Sequence, residues 1–383
     1  MRRRGLPIVL SLLVVAAVIW LPSRVLRSSE PAAEPQAATS VPASPADEER
    51  VVASEIRQDA ITRAQLWQEP SSESRVPTPE ASTIDELSCR FVLKRLSGTT
   101  PKFNCVLDSG EEVRIKYGPG AEIPAEAAAT RLLRALGFAA DEIHLVRRLR
   151  CHGCPIEPFT TSKAVEAVRA SGVYEQGLNY DHVHDFEWVA LERKYNARPI
   201  ETASGQGWAF AELDRVDEAK GGAPRAHVDA LRLVAACLAH WDNKADNQRV
   251  VCASRDWPAE APCPASMLML QDLGATFGPR KISLRRWRAS PIWADRATCR
   301  VTMRHLPYSG ATFVDTQVSE AGRQLLAREF RRLSDADLTN LFTGARFDRK
   351  RGLFSDAHPV PEWVAAFKAR VHMISDGPSC PPV

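Results

Sequence analysis

A change in the spacing of apolar residues near residue 214 divides the globular part of the chain into two halves. Residues 86–213 contain short apolar runs with alternating polar residues, including 90–95 and 113–117, which predict β-strands. Residues 214–383 carry their apolar residues mainly at helical spacing. Strands followed by helices predict an α+β fold of two lobes, a β-rich N-lobe and a helical C-lobe.

Composition and charge are those of an ordinary globular protein. Of the 383 residues, 44% are hydrophobic and 25% are charged, which allows a large core. The formal net charge is +3, and acidic and basic residues are interspersed without long runs of one sign. This pattern predicts a mixed solvated surface and gives no indication of nucleic-acid binding.

The N-terminal segment, residues 1–27, has the pattern of a signal peptide or a signal anchor. Arg2, Arg3 and Arg4 precede an apolar run that extends to Leu21. No clear small-residue cleavage site follows, which favours an uncleaved anchor in a membrane over a secreted chain. The basic start favours a cytoplasmic N-terminus, so the main domain is expected to be extracytoplasmic, in a periplasm or a lumen.

A segment rich in Pro, Ala, Ser and Glu follows at residues 28–85. It contains too few large apolar residues to bury the surface that an ordered fold requires. We therefore expect a disordered linker between the anchor and the domain, with a short helix at 53–67 as a possible ordered part.

Nine cysteines agree with an oxidising compartment, and their odd number leaves at least one thiol free. Cys252 and Cys263 bracket a Pro-rich loop and form the best candidate pair. Cys151 and Cys154 have the spacing of a redox motif, but no thioredoxin-like βαβ pattern surrounds them. A structural disulfide or plain thiols are therefore favoured there over redox catalysis.

The most informative motif lies just after the predicted helix that ends near Leu238. Residues 240–247 read His-Trp-Asp-Asn-Lys-Ala-Asp-Asn. This stretch fits H-x-D-x-K-x-x-N and resembles the catalytic loop of protein kinases. Farther along, Asp272-Leu273-Gly274 resembles the metal-binding Asp-Phe-Gly turn of that superfamily, with Leu in place of Phe. Taken singly, each of these residues would be interpreted as part of an ordinary turn or of the packed interior.

The resemblance implies a two-lobed protein-kinase-like fold and an ATP-dependent phosphotransferase. Asp242 would accept the proton of an attacking hydroxyl, and the Lys244 cation would lie near the transferred group. Asn247 and Asp272 would supply the hard oxygen ligands that Mg²⁺ requires, with Mn²⁺ as an alternative.

The N-terminal half offers a matching nucleotide site. The run Val113-Arg-Ile-Lys116 resembles the kinase strand whose lysine contacts the α- and β-phosphates of ATP. Glu126, in the helix predicted at 125–136, would pair with Lys116, and Glu122 is the alternative partner. Without the downstream motifs, Lys116 would be interpreted as a solvated strand lysine.

A loop between two predicted strands would cover the phosphates. It lacks the G-x-G-x-x-G spacing and is similar to the Gly-x-x-Pro-Lys loop of HipA-type kinases, with Gly98 and Lys102 in the corresponding places. The resemblance to this atypical branch, and more loosely to secreted Golgi-type kinases, extends over about residues 96–277. It implies an acceptor hydroxyl on a protein or a glycan.

Three departures from the ordinary kinase pattern leave other functions open. Asp272 lies 25 positions after Asn247, no A-P-E motif follows, and an apolar run at 207–213 replaces a recognisable hinge. Trp208 or Phe210 could lie near an adenine, although core packing is favoured for both. The alternatives are a kinase-fold pseudoenzyme, a nucleotidyl transferase, and a non-enzymatic envelope interaction protein.

Overall fold

The computed structural model describes residues 45–71, 76–200, 207–254, 257–258, 261–279, 282–307, 315–349 and 357–383. The predicted anchor at 1–27 lies outside these residues, as does the linker up to residue 44. Among the described residues, no helix combines the length and the apolar character that a membrane span requires.

The first helix, α1 (Pro45–Thr62), lies within the segment interpreted as a linker and overlaps the short helix considered at 53–67. Ala60 and Ile61 at the end of α1, and Ala64 and Leu66 just after it, are buried in the main core. The composition of 28–85 is linker-like on average, but the few apolar residues at 60–66 are enough to anchor this part of the chain to the core.

Five strands then close into a barrel in the order β1-β2-β3-β5-β4. They are β1 (Thr83–Val92), β2 (Lys102–Leu107), β3 (Glu112–Lys116), β4 (Glu142–His152) and β5 (Val183–Arg193). All neighbouring pairs are antiparallel except β1 with β4, which is parallel and closes the barrel. The structure thus contains the β-rich part that the apolar alternation predicts.

Alternation along these strands fills the barrel interior with side chains. Phe91, Phe103, Ile115, Leu149 and Val189 are completely buried there. Because successive strand residues point to opposite faces, the residues that alternate with these five point away from the barrel interior. Some of them form the candidate functional site.

Helix α2 (Glu122–Ala135) packs between the barrel and the helical part. Four of its buried residues are alanines, Ala125 and 127–129, so its backbone can approach its neighbours closely there. The helix ends where the sequence predicts, since Gly137 adopts a left-handed φ of 90°. This close packing fixes the position of Glu126, which α2 carries.

Two short helices, α3 (Pro158–Ala167) and α4 (Ser171–Gln176), connect β4 to β5. Past the barrel, β6 (Arg198–Pro199), β7 (Gln248–Cys252) and β8 (Ser266–Leu270) form a small antiparallel sheet. The apolar run at 207–213 favours a strand from its sequence alone, but that prediction is wrong, because a 3₁₀ helix, Phe210–Arg215, occupies most of this stretch. Its apolar residues are buried, and short apolar runs do not by themselves distinguish strand from helix.

The C-terminal part is mainly helical, as predicted. It comprises α5 (Arg225–Leu238), α6 (Leu284–Ala289), α7 (Glu320–Arg331), α8 (Asp335–Gly344) and α9 (Val360–Ser375), with a small sheet of β9 (Trp293–Asp295), β10 (Arg300–Val301) and β11 (Thr316–Gln317). Arg370 of α9 is buried and donates hydrogen bonds to carbonyl oxygens of Cys237 and Trp287. These bonds join α5, α6 and α9 around one core.

Eight of the nine cysteines form disulfides, and the Cys252–Cys263 pair predicted from the sequence is confirmed. The others are Cys89–Cys105, Cys151–Cys154 and Cys299–Cys380. Cys237 keeps a free, buried thiol, which fulfils the expectation that at least one is unpaired.

Candidate functional site

The β7–β8 hairpin brings the two sequence motifs together. Gln248 is the register partner of Leu270, so Asn247 precedes one strand and Asp272 follows the other at the same end of the hairpin. The backbone N–H of Gln271 donates to the carbonyl oxygen of Asn247 at 3.2 Å. The 24 residues between the two metal-ligand candidates are therefore accounted for by a hairpin and its disulfide-closed loop.

The end of α5 joins the same two loops. Ala239 adopts a left-handed φ of 53° and ends the helix. Beyond it, the N–H of Trp241 donates to the Ala275 carbonyl at 3.2 Å, and the N–H of Phe277 donates to Leu238 at 2.8 Å. These backbone bonds fix the loop at 240–247 against the turn that begins at Asp272.

Side chains within the loop at 240–247 set its internal shape. The Asn247 Nδ2 donates to the Asp242 carbonyl at 2.6 Å, which leaves the Asn247 amide oxygen available to a cation. The Nζ of Lys244 lies 3.4 Å from the Asp242 Oδ1. The Asp242 and Lys244 side chains are 27% and 51% exposed, so both can reach a ligand from solvent.

His240 supports this loop from inside the core. Burial lowers the pKa of its imidazole to about 4, so the ring is neutral at physiological pH. Its backbone carbonyl accepts a hydrogen bond from Asn243 Nδ2 at 2.9 Å. The first residue of the motif is thus a packed residue that helps to shape the loop.

Lys116 lies at the centre of a buried charge cluster. Its Nζ is 2.6 and 2.7 Å from the two carboxylate oxygens of Glu126. The Asp272 Oδ1 and the Glu192 Oε2 each lie 3.5 Å from the same nitrogen. Of the two partners considered for Lys116, the structure brings Glu126 rather than Glu122 into contact with it.

The electrostatics of this cluster follow from its carboxylates. Burial acts to lower the pKa of Lys116, but Glu126, Asp272 and Glu192 outweigh it, so the pKa lies well above its usual value. Lys116 in turn lowers the pKa of Asp272. Asp272 is therefore an ionised carboxylate, and its side chain remains 41% exposed.

The backbone of Asp272 is also unusual. Its φ is 50°, in the left-handed region that non-glycine residues seldom occupy. Aspartate tolerates this region better than most residues. The conformation turns the chain sharply after β8, so that the carboxylate lies beside Lys116.

Lys102 differs from Lys116 although the two are register partners on β2 and β3. It is only 7% exposed, and within the described part of the chain it has neither an ion pair nor a hydrogen bond. Burial and the neighbouring Lys116 cation lower its pKa. An unpaired buried cation opposite a second cation is unfavourable unless an anion binds between them.

The loop before β2 is tied to both sides of the site. Gly98 has a left-handed φ of 74°, and a Cβ there would lie 3.4 Å from the Lys102 Nζ. The Thr100 hydroxyl donates to the Glu122 carboxylate at the start of α2. A Cβ on Gly274 would lie 3.0 Å from the Glu122 Cβ, so the Asp272 turn abuts the same helix end.

Glu192 belongs to this cluster but was missed by the sequence interpretation. It is 2% exposed and also contacts Lys194. Burial raises its pKa, but Lys194, Lys116 and Arg114 outweigh burial and hold the pKa well below its usual value. The one signal in the sequence is an acidic residue at the end of an apolar strand, which is too common to identify a site.

The aromatic residues considered for an adenine site are core residues, as the sequence interpretation favoured. Trp208 is fully buried and donates its indole N–H to the Met269 carbonyl at 3.1 Å. Phe210 packs against it with ring centroids 5.1 Å apart. Trp208 and Phe210 do not belong to the chain segment that directly follows β5. That segment is held by Asp141, whose carboxylate accepts a hydrogen bond from the Tyr195 N–H at 2.8 Å.

The predicted residues therefore occupy three linked positions. Lys116, Glu126 and Asp272 are in direct contact, Lys102 lies opposite Lys116, and the Gly98 loop adjoins them. Asn247 joins this group through Gln271, and Asp242 and Lys244 join it through Asn247. Two lysines with a carboxylate and an amide oxygen form a donor set that fits a phosphate chain with a divalent cation.

Comparisons with known proteins give kinases among solved structures. The chain is similar to the Helicobacter pylori proinflammatory kinase CtkA, with 10% identity and a TM-score of 0.43 over 76% of this chain and 96% of that one. It is also similar to the Golgi casein kinase with Mn/ADP bound, with 12% identity and a TM-score of 0.34 over 77% and 74% of the two chains. No family profile and no curated protein matches the sequence. At these identities the similarity concerns the fold alone.

Proposed function

We propose that this chain is an ATP- and Mg²⁺-dependent phosphotransferase that acts on a hydroxyl group of a protein or a glycan. The observation that carries the proposal is the pair of buried lysines on β2 and β3. Lys116 is held by Glu126 beside Asp272, whereas Lys102 makes neither an ion pair nor a hydrogen bond within the described residues, and feels Asp272 and Glu192 only at longer range. A phosphate chain supplies the direct partner that Lys102 lacks.

Each residue then has a defined role. Lys102 and Lys116 bind phosphate oxygens, and Glu126 holds Lys116 in position. Asp272 and Asn247 bind the divalent cation, for which Mn²⁺ can substitute. The cation neutralises charge on the phosphates when bound.

The acceptor side of the reaction belongs to the loop at 240–247. Asp242 orients the acceptor hydroxyl and takes its proton. Lys244 lies close enough to Asp242 to stabilise its carboxylate and to stay near the transferred group. Both side chains are partly exposed, which suits an acceptor that arrives from solvent.

The direct test is incubation of the full chain with ATP labelled at the γ-phosphate, with Mg²⁺ or Mn²⁺. We expect label in an acceptor or in the chain itself, and at least a hundredfold less in Asp242→Asn and Asp272→Asn. Asp246→Asn is the matched control, because Asp246 is exposed in the same loop and outside the proposed machinery. Labelling that is equal in all four proteins would contradict the assignment.

The same experiment separates the alternatives. Label transferred from the α-phosphate would indicate nucleotidyl transfer. Nucleotide-induced stabilisation without any transfer would indicate a kinase-fold pseudoenzyme. A chain that binds no nucleotide would be an envelope interaction protein.

We further propose that the domain functions outside the cytoplasm and is attached to a membrane by residues 1–27. Four disulfides support this location, since cytosolic proteins seldom retain them. Cell fractionation, with protease added to intact and permeabilised cells, would locate the domain.

A further inference from the structure

Two side-chain amide oxygens beside the proposed phosphate site are buried without a hydrogen-bond donor. They belong to Asn104 of β2 and to Gln271, which immediately precedes Asp272. The two side chains are 9% and 8% exposed, and neither oxygen has a partner among the described residues. A buried acceptor without a donor is costly, and such atoms are uncommon in folded proteins. Both oxygens are thus suited to a ligand that donates hydrogen bonds.

Carboxylates fix the orientation of both amides. The Asn104 Nδ2 donates to the Glu112 Oε1 at 2.7 Å, and the Gln271 Nε2 faces the Glu192 Oε1 at 3.5 Å. Rotation of either amide by half a turn would place its oxygen against a carboxylate oxygen, which is unfavourable because both atoms only accept. The amide atom that is left for a ligand is therefore an oxygen in both residues.

Asn104 lies next to the lysine pair on the same face of the barrel. It follows Lys102 by two positions, and side chains two positions apart on a strand share a face. Its register partner is Arg114, just as Lys116 is the partner of Lys102. Strand β2 begins at Lys102 and β3 ends at Lys116. A ligand that follows both strands from the lysine pair therefore reaches Asn104 after one step of about 6.7 Å.

Gln271 borders the same face from the other side. Glu192, which its amide faces, is the register partner of Arg114 on β5. The strand order β2-β3-β5 places Arg114 between Asn104 and Glu192, and neighbouring strands lie about 4.8 Å apart. Arg114 is half-buried, makes neither an ion pair nor a hydrogen bond within the described residues, and affects Glu192 only at longer range. Its side chain can therefore move aside when a ligand enters between the two amides.

We propose that Asn104 and Gln271 accept hydrogen bonds from the nucleoside of ATP and so determine which nucleotide is bound. This role rests on the proposed function, in which Lys102 and Lys116 bind the phosphates. The donors that ATP offers next to its phosphates are the ribose hydroxyls and, farther along, the 6-amino group of adenine. A nucleotide that lacks the matching donor leaves a buried oxygen unpaired and binds more weakly. The two residues take no part in the transfer itself.

Binding of ADP with Mg²⁺ to the full chain tests this role, because ADP has no γ-phosphate to transfer. Calorimetric titration compares ADP with its 2′-deoxy and 3′-deoxy forms and with purine riboside diphosphate, which lacks the 6-amino group. We expect at least one of these analogues to bind about fivefold to tenfold more weakly than ADP, as for the loss of one hydrogen bond. The analogue that is affected identifies the donor as ribose or base. Equal affinity for ADP and all three analogues would overturn the proposed role, and this titration needs no variant.

Two variants assign the contacts to the residues. Asn104→Leu and Gln271→Met remove the amide oxygen and keep a side chain of similar size. Each should weaken ADP binding about fivefold to tenfold and should bind ADP and one weak analogue equally, because that donor then has no acceptor. Gln176→Met, at an exposed position of α4, should keep the affinity and the discrimination of the wild-type chain. Wild-type discrimination in both Asn104→Leu and Gln271→Met would contradict the role of these residues.

The outcomes also separate this role from phosphotransfer. A chain that discriminates among these nucleotides but transfers no phosphate would support the role of the two amides and contradict phosphotransfer. A chain that transfers phosphate but binds ADP and the analogues equally would do the reverse. A chain that binds no ADP would contradict both.

Discussion

At the scale of single residues, Lys102 and Lys116 show how surroundings set the role of a side chain. They face each other across β2 and β3, and both are buried. Lys116 has three carboxylates within 3.5 Å, whereas Lys102 has no ion pair in the described chain. The charge of Lys116 is therefore neutralised within the protein, whereas Lys102 gains a direct partner only when an anion is bound.

Replacement of Lys102 should have opposite effects on the stability of the protein and on its affinity for ATP. Lys102→Met removes a buried cation and its repulsion with Lys116, so the free energy of unfolding should rise by about 0.5–1 kcal/mol. The same change should weaken ATP binding at least tenfold, which corresponds to about 1.4 kcal/mol. Denaturant unfolding and nucleotide titration measure the two effects. Lys94→Met, on an exposed lysine, should leave ATP binding unchanged.

Glu320, which lies outside the candidate site, should make part of the free energy of unfolding depend on pH. Glu320 accepts hydrogen bonds from Arg323 at 2.6 and 2.8 Å and from the backbone N–H of Cys380. The Arg323 bonds lower the pKa of Glu320 to about 2. A lowered pKa stabilises the folded state above the ordinary carboxyl pKa, and this contribution disappears as the pH falls towards 2.

Glu320→Gln should therefore lower the free energy of unfolding by about 1.5–3 kcal/mol at pH 7, where the wild-type carboxylate is ionised. The difference between the two proteins should shrink steadily as the pH is lowered from 5 to 2. Urea unfolding of both proteins across this range measures it. A difference that is independent of pH would contradict the assigned ion pair.

At the scale of helices and strands, local pattern predicts much of the site. Apolar alternation gives β3 with Lys116, and the helix that follows places Glu126 on the side that faces the barrel. Glu192 could not be found in this way, because its meeting with Lys116 depends on the pairing of β5 with β3. The burial of the end of α1 likewise depends on contacts with residues that are distant in the sequence. The linker-like composition of residues 28–85 gives no indication of these contacts.

One glycine tests how the loop at 240–247 is held. Gly207 has a φ of 69°, and a Cβ there would lie 1.9 Å from the Ala245 carbonyl and 2.2 Å from that of Gln248. Gly207→Ala should displace both residues and with them Asn247, which they flank. We expect phosphotransfer to fall at least tenfold and the free energy of unfolding to fall by more than the strain of about 1–2 kcal/mol.

Gly221→Ala is the control for that strain. Gly221 has a similar φ of 88°, but nothing lies within 4 Å of its Cβ position. It should lose only the conformational part of the stability and keep its activity. Equal effects in both variants, measured by denaturation and by the labelling assay, would show that contact with the loop is unimportant.

At the scale of the whole molecule, the disulfides differ in the length of chain that each one closes into a loop. Cys299–Cys380 joins residues 81 positions apart and ties the C-terminal end of the chain to the small sheet beside α7. Cys252–Cys263 spans 11 positions within a single hairpin. A longer closed loop restricts the unfolded chain more strongly.

Removal of the two bonds should therefore have unequal effects. Cys299→Ala with Cys380→Ala should lower the free energy of unfolding by about 2 kcal/mol more than Cys252→Ala with Cys263→Ala, from the logarithm of the two loop lengths. Thermal or denaturant unfolding of the two double variants measures the difference. A larger loss in the hairpin variant would contradict a loop-length explanation.

The parallel pairing of β1 with β4 has a consequence for how the chain is made. A ribosome or a translocation pore delivers residues in sequence order. Strand β1 therefore emerges well before β4, with which it pairs, and before β5, which completes the barrel. Cys89 and Cys105 are therefore both available before Cys151 arrives, and Cys154 follows Cys151 by three positions. Delivery in this order favours the observed neighbour-to-neighbour bonds over any exchange between the pairs.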